Sequence, residues 1–179
     1  MKKLQLMKYI AGELVKGNQI VKGRTKDGSI AYADGYKLWI IREEDDIFSD
    51  NIDKIDIDKI LKTDDIDNLR PIDNYLIIDG ADIMKNKKIA RGVIDNVPFY
   101  FDIDYLKYFD KNCKLYKYSD SPTTPIYIKD EYETLEGLIM PVNLSDETKK
   151  ELDKKLGLEK KHKKRLKKGL VSPWSLEDR

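Results

Sequence analysis

The sequence predicts an α+β fold, with antiparallel sheets of short strands, short helices packed on them and a basic C-terminal helix. Three observations carry the prediction. Apolar residues near the start recur at helical spacing. Asp-Gly pairs separate short alternating runs. The strands lie too close together in sequence for repeated βαβ crossovers.

Leu4, Met7, Ile10, Ala11, Leu14 and Val15 fit one face of an opening helix, with Lys3, Lys8, Glu13 and Lys16 between them. Gly17-Asn18 ends it, and the first few residues fit a short strand as well. A strand is expected near Gln19 to Arg24, with a turn at Asp27-Gly28. The clearest hairpin comes next: Ile30 and Tyr32, then Asp34-Gly35, then Tyr36, Leu38 and Ile40. Asp-Gly tolerates the positive φ that a two-residue turn demands.

Ile52 to Leu61 reads as a short strand passing into a helix. Tyr75 to Ile78, Lys88 to Ile94 and Val97 to Phe101 read as strands, the last two joined by a turn at Asp95-Asn96. Asp102 is placed to cap a short helix carrying Ile103, Leu106, Tyr108 and Phe109. Cys113 to Tyr118, Ile126 to Lys129 and Gly137 to Leu144 complete the strands. Ser145-Asp146-Glu147 ahead of Leu152 and Leu156 starts a Lys-rich helix, interrupted by Gly157 and stopped near Gly169. Two parts are therefore expected: a body over 1–144 and a basic helical tail over 145–179.

Charge divides the chain the same way. The 34 Lys/Arg and 33 Asp/Glu give a net charge of +1. Thr148 to Arg179 holds 12 basic and 5 acidic residues, a net of +7, which leaves −6 for Met1 to Glu147. Within the body, Glu43 to Asp82 holds 14 acids and four bases.

Several function classes are disfavoured. One cysteine, Cys113, precludes an intrachain disulfide and a multi-cysteine zinc site, and one histidine, His162, removes most His-based metal and triad chemistry. No apolar run reaches the roughly 20 residues that span a bilayer, and the opening residues lack a secretory pattern, so a cytoplasmic protein without membrane partners is expected. No phosphate loop, dinucleotide fingerprint or nucleophile elbow occurs, and no cofactor is implied. Asp79 with Asp82, or Asp56 with Asp58, are the carboxylate pairs nearest to a metal set, but an Asp-rich chain places such pairs on solvated turns. Cys113 fits a core thiol, and an enzyme is not expected.

Two segments carry a resemblance. Ala33-Asp34-Gly35-Tyr36-Lys37-Leu38 between two strands, and Gly137-Leu138-Ile139-Met140-Pro141-Val142-Asn143-Leu144 near the end of the body, resemble segments of the bacterial sliding clamp, the β subunit of the replicative DNA polymerase. That family carries Thr-Asp-Gly-His-Arg-Leu in its middle domain and ends in Met-Pro-Met-Arg-Leu. Phe99 to Phe109, and Lys114 to Ile128 with Ser119-Asp120-Ser121-Pro122, are similar to further clamp segments in the same order. Together these cover residues 1–144, the scale of one clamp domain, whereas a clamp subunit has three. Tyr36 and Lys37 stand where the family has His and Arg, Ala33 where it has Thr, and Asn143 where it has Arg.

The resemblance implies two pseudo-symmetric sheet-and-helix halves. It implies a replication-associated, processivity-factor-like protein that binds double-stranded DNA, forms a homo-oligomeric ring if it encircles the duplex, and takes peptide motifs of replication or host proteins. Carried over by position, the peptide pocket comprises Gly35, Tyr36, Lys37, Leu38, Met140, Pro141 and Val142. Leu38, Met140 and Val142 fit plain strand or core positions equally well. Clamps contact DNA through inner helices, which here offer Lys2, Lys3, Lys8 and Lys16, then Lys107 and Lys111. The densest positive run is Lys160, Lys161, Lys163, Lys164, Arg165, Lys167 and Lys168, and such a run binds phosphates without reading bases. A second reading is a phage or mobile-element protein whose clamp-like domain binds or blocks a host factor. The acidic Glu43–Asp82 stretch favours it, since it repels DNA wherever it faces the duplex.

Overall fold

A computed structural model of the chain describes residues 1–48, 52–61, 68–79 and 88–158. The run Lys160–Lys168, His162, Trp174, Asp82 and the side chain of Asp79 lie outside the described residues.

The fold is mixed α+β. Helix α1 (Lys3–Val15) leads into strands β1 (Val21–Arg24), β2 (Ile30–Ala33) and β3 (Lys37–Ile41). Strand β4 (Asp53–Lys54), helix α2 (Ile57–Leu61) and strand β5 (Arg70–Pro71) follow. Strands β6 (Tyr75–Asp79), β7 (Lys88–Ile94) and β8 (Val97–Asp102) form a meander. A 3-10 helix (Ile103–Tyr108), strands β9 (Lys114–Lys117), β10 (Ile126–Lys129) and β11 (Leu135–Ile139), and helix α3 (Asp146–Lys155) close the order.

The strands form an eight-stranded sheet, ordered β4-β1-β2-β3-β11-β10-β9-β5, and a three-stranded sheet, β6-β7-β8. All pairings are antiparallel except the two-residue β1–β4 contact, which is parallel; β4 follows β3 in the chain but lies beside β1, at the far side of β2.

The large sheet has an internal two-fold. Each half contributes a helix followed by a three-strand meander: α1 then β1-β2-β3, and the 3-10 helix then β9-β10-β11. The last strands of the two meanders pair antiparallel, with Leu38 opposite Leu138, Lys37 opposite Ile139 and Trp39 opposite Gly137. An axis through the Leu38–Leu138 pair therefore exchanges the halves. Following the ladders outward, Leu38 pairs with Ala33, which pairs with Val21, while Leu138 pairs with Tyr127, which pairs with Tyr116. The next residues, Lys22 and Lys117, are thus equivalent, and both are buried lysines.

The two faces of the large sheet bury different clusters because side chains alternate along each strand. One face sets Tyr32, Trp39, Ile41, Ile126, Ile128 and Ile139 against Leu6, Met7 and Ile10 of α1 and against Phe99 and Phe101 of β8. The other packs Ala31, Leu38, Tyr127 and Leu138 beneath Ile57 and Leu61 of α2. The outer face of the small sheet is covered by α3, where fully buried Leu152 meets Ile78, Ile89 and Tyr100. Asp153 fixes the docking, accepting from Arg91 Nε at 2.8 Å and from Tyr100 Oη at 3.1 Å.

Local chemistry explains most boundaries. Ser145 caps α3 by accepting from the Thr148 amide at 3.2 Å, and Asp102 caps the 3-10 helix by accepting from Asp104 N at 3.0 Å. That helix is 3-10 rather than α over its six residues, Ile103–Tyr108. Asp95 and Asn96 both have positive φ, as a two-residue hairpin turn of type I′ needs. The β2–β3 turn is centred one residue later than the Asp-Gly pair implies. Gly35 and Tyr36 are its middle residues, with Gly35 at φ 87° and Asp34 in the position before, whose Oδ1 accepts from Tyr36 N and Lys37 N. The last strand stops at Ile139 rather than running to Leu144, since Pro141 has no N–H to give to a ladder.

Candidate functional site

Pairing of β3 with β11 brings the two sequence-predicted segments side by side. Met140 N donates to Tyr36 O at 2.7 Å, so the Gly35-Tyr36 turn and Met140 share one end of the central strand pair. Their side chains then part. Tyr36 is 63% exposed, whereas Leu38 is 1% exposed and packed among Ala33, Tyr127 and Leu138. Met140 is half-buried against that same cluster. Pro141 is half-buried, and Val142 turns to the small sheet, where its amide donates to Tyr100 O at 2.8 Å.

Lys37 points to the opposite face and is enclosed there. Its ammonium lies 4.8 Å from the Tyr9 ring centroid, 4.9 Å from Tyr105 and 5.5 Å from Trp39. It pairs with Asp34 at 2.8 Å and donates to Tyr9 Oη at 3.2 Å, while Tyr9 donates to Asp34 at 2.7 Å. Burial and the Asp34 carboxylate push the Tyr9 hydroxyl far up, so it keeps its proton and stays the donor to Asp34 at any ordinary pH. Lys37 therefore ties α1 to the β2–β3 turn and offers no charge to the surface.

Among the described residues, clefts of about 780, 570 and 760 Å³ open on the surface, and none of these three is lined by any of the seven predicted pocket residues. The first lies between the small sheet and the 3-10 helix, with Tyr75, Ile77, Lys107 and Lys111 on its walls. The second surrounds the buried Lys22–Asp46 ion pair, 2.5 Å long. Burial raises the Asp46 carboxyl, but hydrogen bonds from Lys22 and Tyr32 outweigh it and hold the group below its ordinary value. The third lies where β3 ends and β11 begins, between the β1–β2 and β10–β11 turns, with Ile40, Leu135 and Leu61 as its apolar floor. Sequence pattern did not mark this third cleft, because its residues come from five separate segments and form no motif.

The predicted DNA-contacting lysines of the body divide too. The α1 start and the 3-10 helix lie together: Lys2 N donates to Tyr108 O at 2.8 Å, Lys2 Nζ to Lys107 O at 3.1 Å, and the Tyr9 and Tyr108 rings stand 5.0 Å apart. Lys3 pairs with Asp45 and Lys16 pairs with Glu13 at 2.8 Å. Lys8 and Lys107 are exposed and, among the described residues, make no ion pair; the Lys107 ammonium sits 5.0 Å from the Tyr108 ring centroid.

Two other features bear on chemistry. Cys113 is half-buried, and burial pushes its thiol pKa up, away from the reactive thiolate. Among the described residues no group of three His, Cys, Asp or Glu side chains is arranged to hold a metal, and no helix is long and apolar enough to cross a membrane.

Comparison of the chain with known proteins finds no matching family, no similar curated protein and no similar solved structure.

Proposed function

We propose that this chain is a clamp-like binding protein associated with DNA replication, which contacts duplex DNA through lysines of its paired helices and of its basic tail. The observation that carries the reading is the two-fold of the large sheet. Two helix-plus-meander halves meet at the Leu38–Leu138 pair, in the arrangement that the resemblance of residues 33–38 and 137–144 leads one to expect. The two helices lie side by side on one face of that sheet, and exposed Lys8 and Lys107 have no acidic partner among the described residues. Exposed lysines free of carboxylates release counterions when they meet phosphates.

The test is fluorescence anisotropy of a labelled duplex with the full chain at several salt concentrations. Binding whose logarithm falls linearly with log salt, equally for unrelated sequences, is the expected result. Absence of salt-dependent binding near physiological ionic strength contradicts the reading. Light scattering with and without DNA decides whether a homo-oligomer is involved. A ring of single-domain subunits predicts a closed assembly, and a chain that stays monomeric on DNA excludes the ring.

The net charge of −6 over Met1–Glu147 favours a second reading, an interaction protein that binds or blocks a host factor. That reading predicts a monomer or dimer without duplex affinity.

A further inference from the structure

The small sheet is covered at one edge and open at the other. At the β8 edge the chain returns after β11, and Val142 N donates to Tyr100 O at 2.8 Å. Strand β6 forms the other edge, and among the described residues no further strand pairs with it. In an antiparallel ladder alternate residues turn their amides and carbonyls away from the partner strand. This edge therefore holds a row of main-chain groups set for one more strand. Its side chains are apolar and reach solvent: Tyr75 is 37%, Leu76 48% and Ile77 56% exposed. Strand addition by an extended peptide uses an edge of this kind.

The edge borders the first cleft, of about 780 Å³, whose walls include Tyr75 and Ile77. The Tyr75 ring stands edge-on to Phe101, with centroids 5.5 Å apart, and Ile72, Ile103 and Leu106 add apolar wall. Five lysines and three aspartates also line the cleft. Asp110 is paired with the Met1 amine, and Lys114 with Glu133. That leaves Lys2, Lys88, Lys107 and Lys111 against Asp73 and Asp104, and none of these six makes an ion pair among the described residues. On either count the lining carries a surplus of two positive charges. Lys88, Lys107 and Lys111 are exposed. An apolar trough with spare cations is complementary to an apolar segment that carries acids.

We propose that β6 takes an extended, acidic segment of a partner protein as a fourth strand of the small sheet. Side chains two residues apart share one face of a strand. Aliphatic residues of the segment lie on Tyr75 and Ile77, and a Glu or Asp two positions along meets Lys88 at the end of the β6–β7 pair, or Lys107 and Lys111 on the opposite wall. Other occupants fit less well. The tail of this chain carries the Lys160–Lys168 run, and a second copy brings the same lysines, so each adds positive charge to a positive cleft. A nucleic acid matches the charge but offers the strand edge no alternating donors and acceptors. The proposal needs no DNA contact and so goes beyond the reading above.

The test is a backbone-amide NMR titration of the full chain with the acetylated, amidated peptide Glu-Thr-Val-Thr-Val-Thr-Glu. Two control peptides carry Lys for both Glu, or Ser for both Val. The first peptide should move the Tyr75, Leu76, Ile77 and Lys111 amides saturably and slow hydrogen exchange in β6. The controls should bind about tenfold more weakly or worse. Lys111→Glu, at an exposed turn position, should bring the Glu and Lys peptides to within a few-fold of each other. Equal binding of the Glu and Lys peptides by the unaltered chain, shifts without slower exchange in β6, or no shift up to about 10 mM peptide would each overturn the proposal. So would β6 amides that are all protected before peptide is added, since a second copy or the tail then holds the edge. The same β6 shifts on adding a DNA duplex would also overturn it. A chain that binds duplex DNA but none of these peptides refutes this site alone, and the reverse refutes the DNA reading alone.

Discussion

Replacing Lys117 with Met should stabilise this protein at neutral pH and remove a specific pH dependence. Lys117 is fully buried on β9, with its ammonium 4.9 Å from the Phe99 ring centroid. It donates to Thr124 O at 2.6 Å and to Thr124 Oγ1 at 2.8 Å, and no carboxylate among the described residues pairs with it. Burial alone lowers its pKa from 10.5 to about 8. The folded pKa lies below the unfolded one, so the unfolded chain binds the extra proton between these values. Stability then rises with pH across that window, and the cost of burying the charge is present in full below pH about 8. A displacement of that size corresponds to about 3 kcal/mol.

Lys117→Met keeps the length and fills the same space. It leaves the Thr124 carbonyl without its amine, while the Thr124 hydroxyl still donates to Ser121 O at 3.0 Å. With about 1–2 kcal/mol set against the lost acceptor contact, a net gain of about 1–2 kcal/mol is expected at pH 7. Urea unfolding of both proteins from pH 7 to 10.5 is the assay, because titrations common to both cancel in the difference. The difference should shrink and then reverse as pH rises, with the wild type gaining about 3 kcal/mol that the variant does not. Parallel stability curves would refute the reasoning, and so would a variant less stable at pH 7.

Other perturbations follow from particular contacts. A Cβ on Gly92 would lie 2.2 Å from Phe99 Cζ in the core, so Gly92→Ala should cost about 1–3 kcal/mol by thermal unfolding. Asp153→Ala removes the acceptor of Arg91 and Tyr100; it should cost about 1 kcal/mol and speed hydrogen exchange across α3 while β9–β11 stay protected. Asp46→Asn removes the carboxylate paired with the buried Lys22 ammonium and should cost about 3 kcal/mol at pH 7. Since the Asp46 pKa is held below its ordinary value, wild type keeps that contribution above pH 3.8 and loses it as pH falls further.

Much of the fold was legible because it is local. The Asp95-Asn96 turn, the Asp102 and Ser145 caps, and the helical spacing of Met7 and Ile10 all act over a few residues, whereas the Asp34-Gly35 pair marks its turn one residue early, and Leu4 and Val15, which the spacing put on the helix face, are exposed while Leu6 is buried. The two-fold was expected only from the resemblance and was not legible in the residue pattern itself. It resides in which strands pair, and equivalent positions mostly differ in type, such as Lys37 with Gly137 and Tyr36 with Glu136. The Lys37 cage was equally hidden, because its rings come from α1, β3 and the 3-10 helix. Strand alternation alone set Leu38 inside and Lys37 on the other face, and so separated residues that are adjacent in the motif. The third cleft lies beyond reach of any pattern for the same reason: α2, β3, β11 and two turns contribute to it.

The most direct test of the DNA-contact account is the salt dependence of duplex binding by the full chain and by the Lys8→Glu/Lys107→Glu double variant. Both side chains are exposed, so the fold should persist. The account predicts weaker binding and a log–log salt slope shallower by about 2. An unchanged affinity and slope would contradict contact through the paired helices, and no binding by either protein would contradict the DNA reading as a whole.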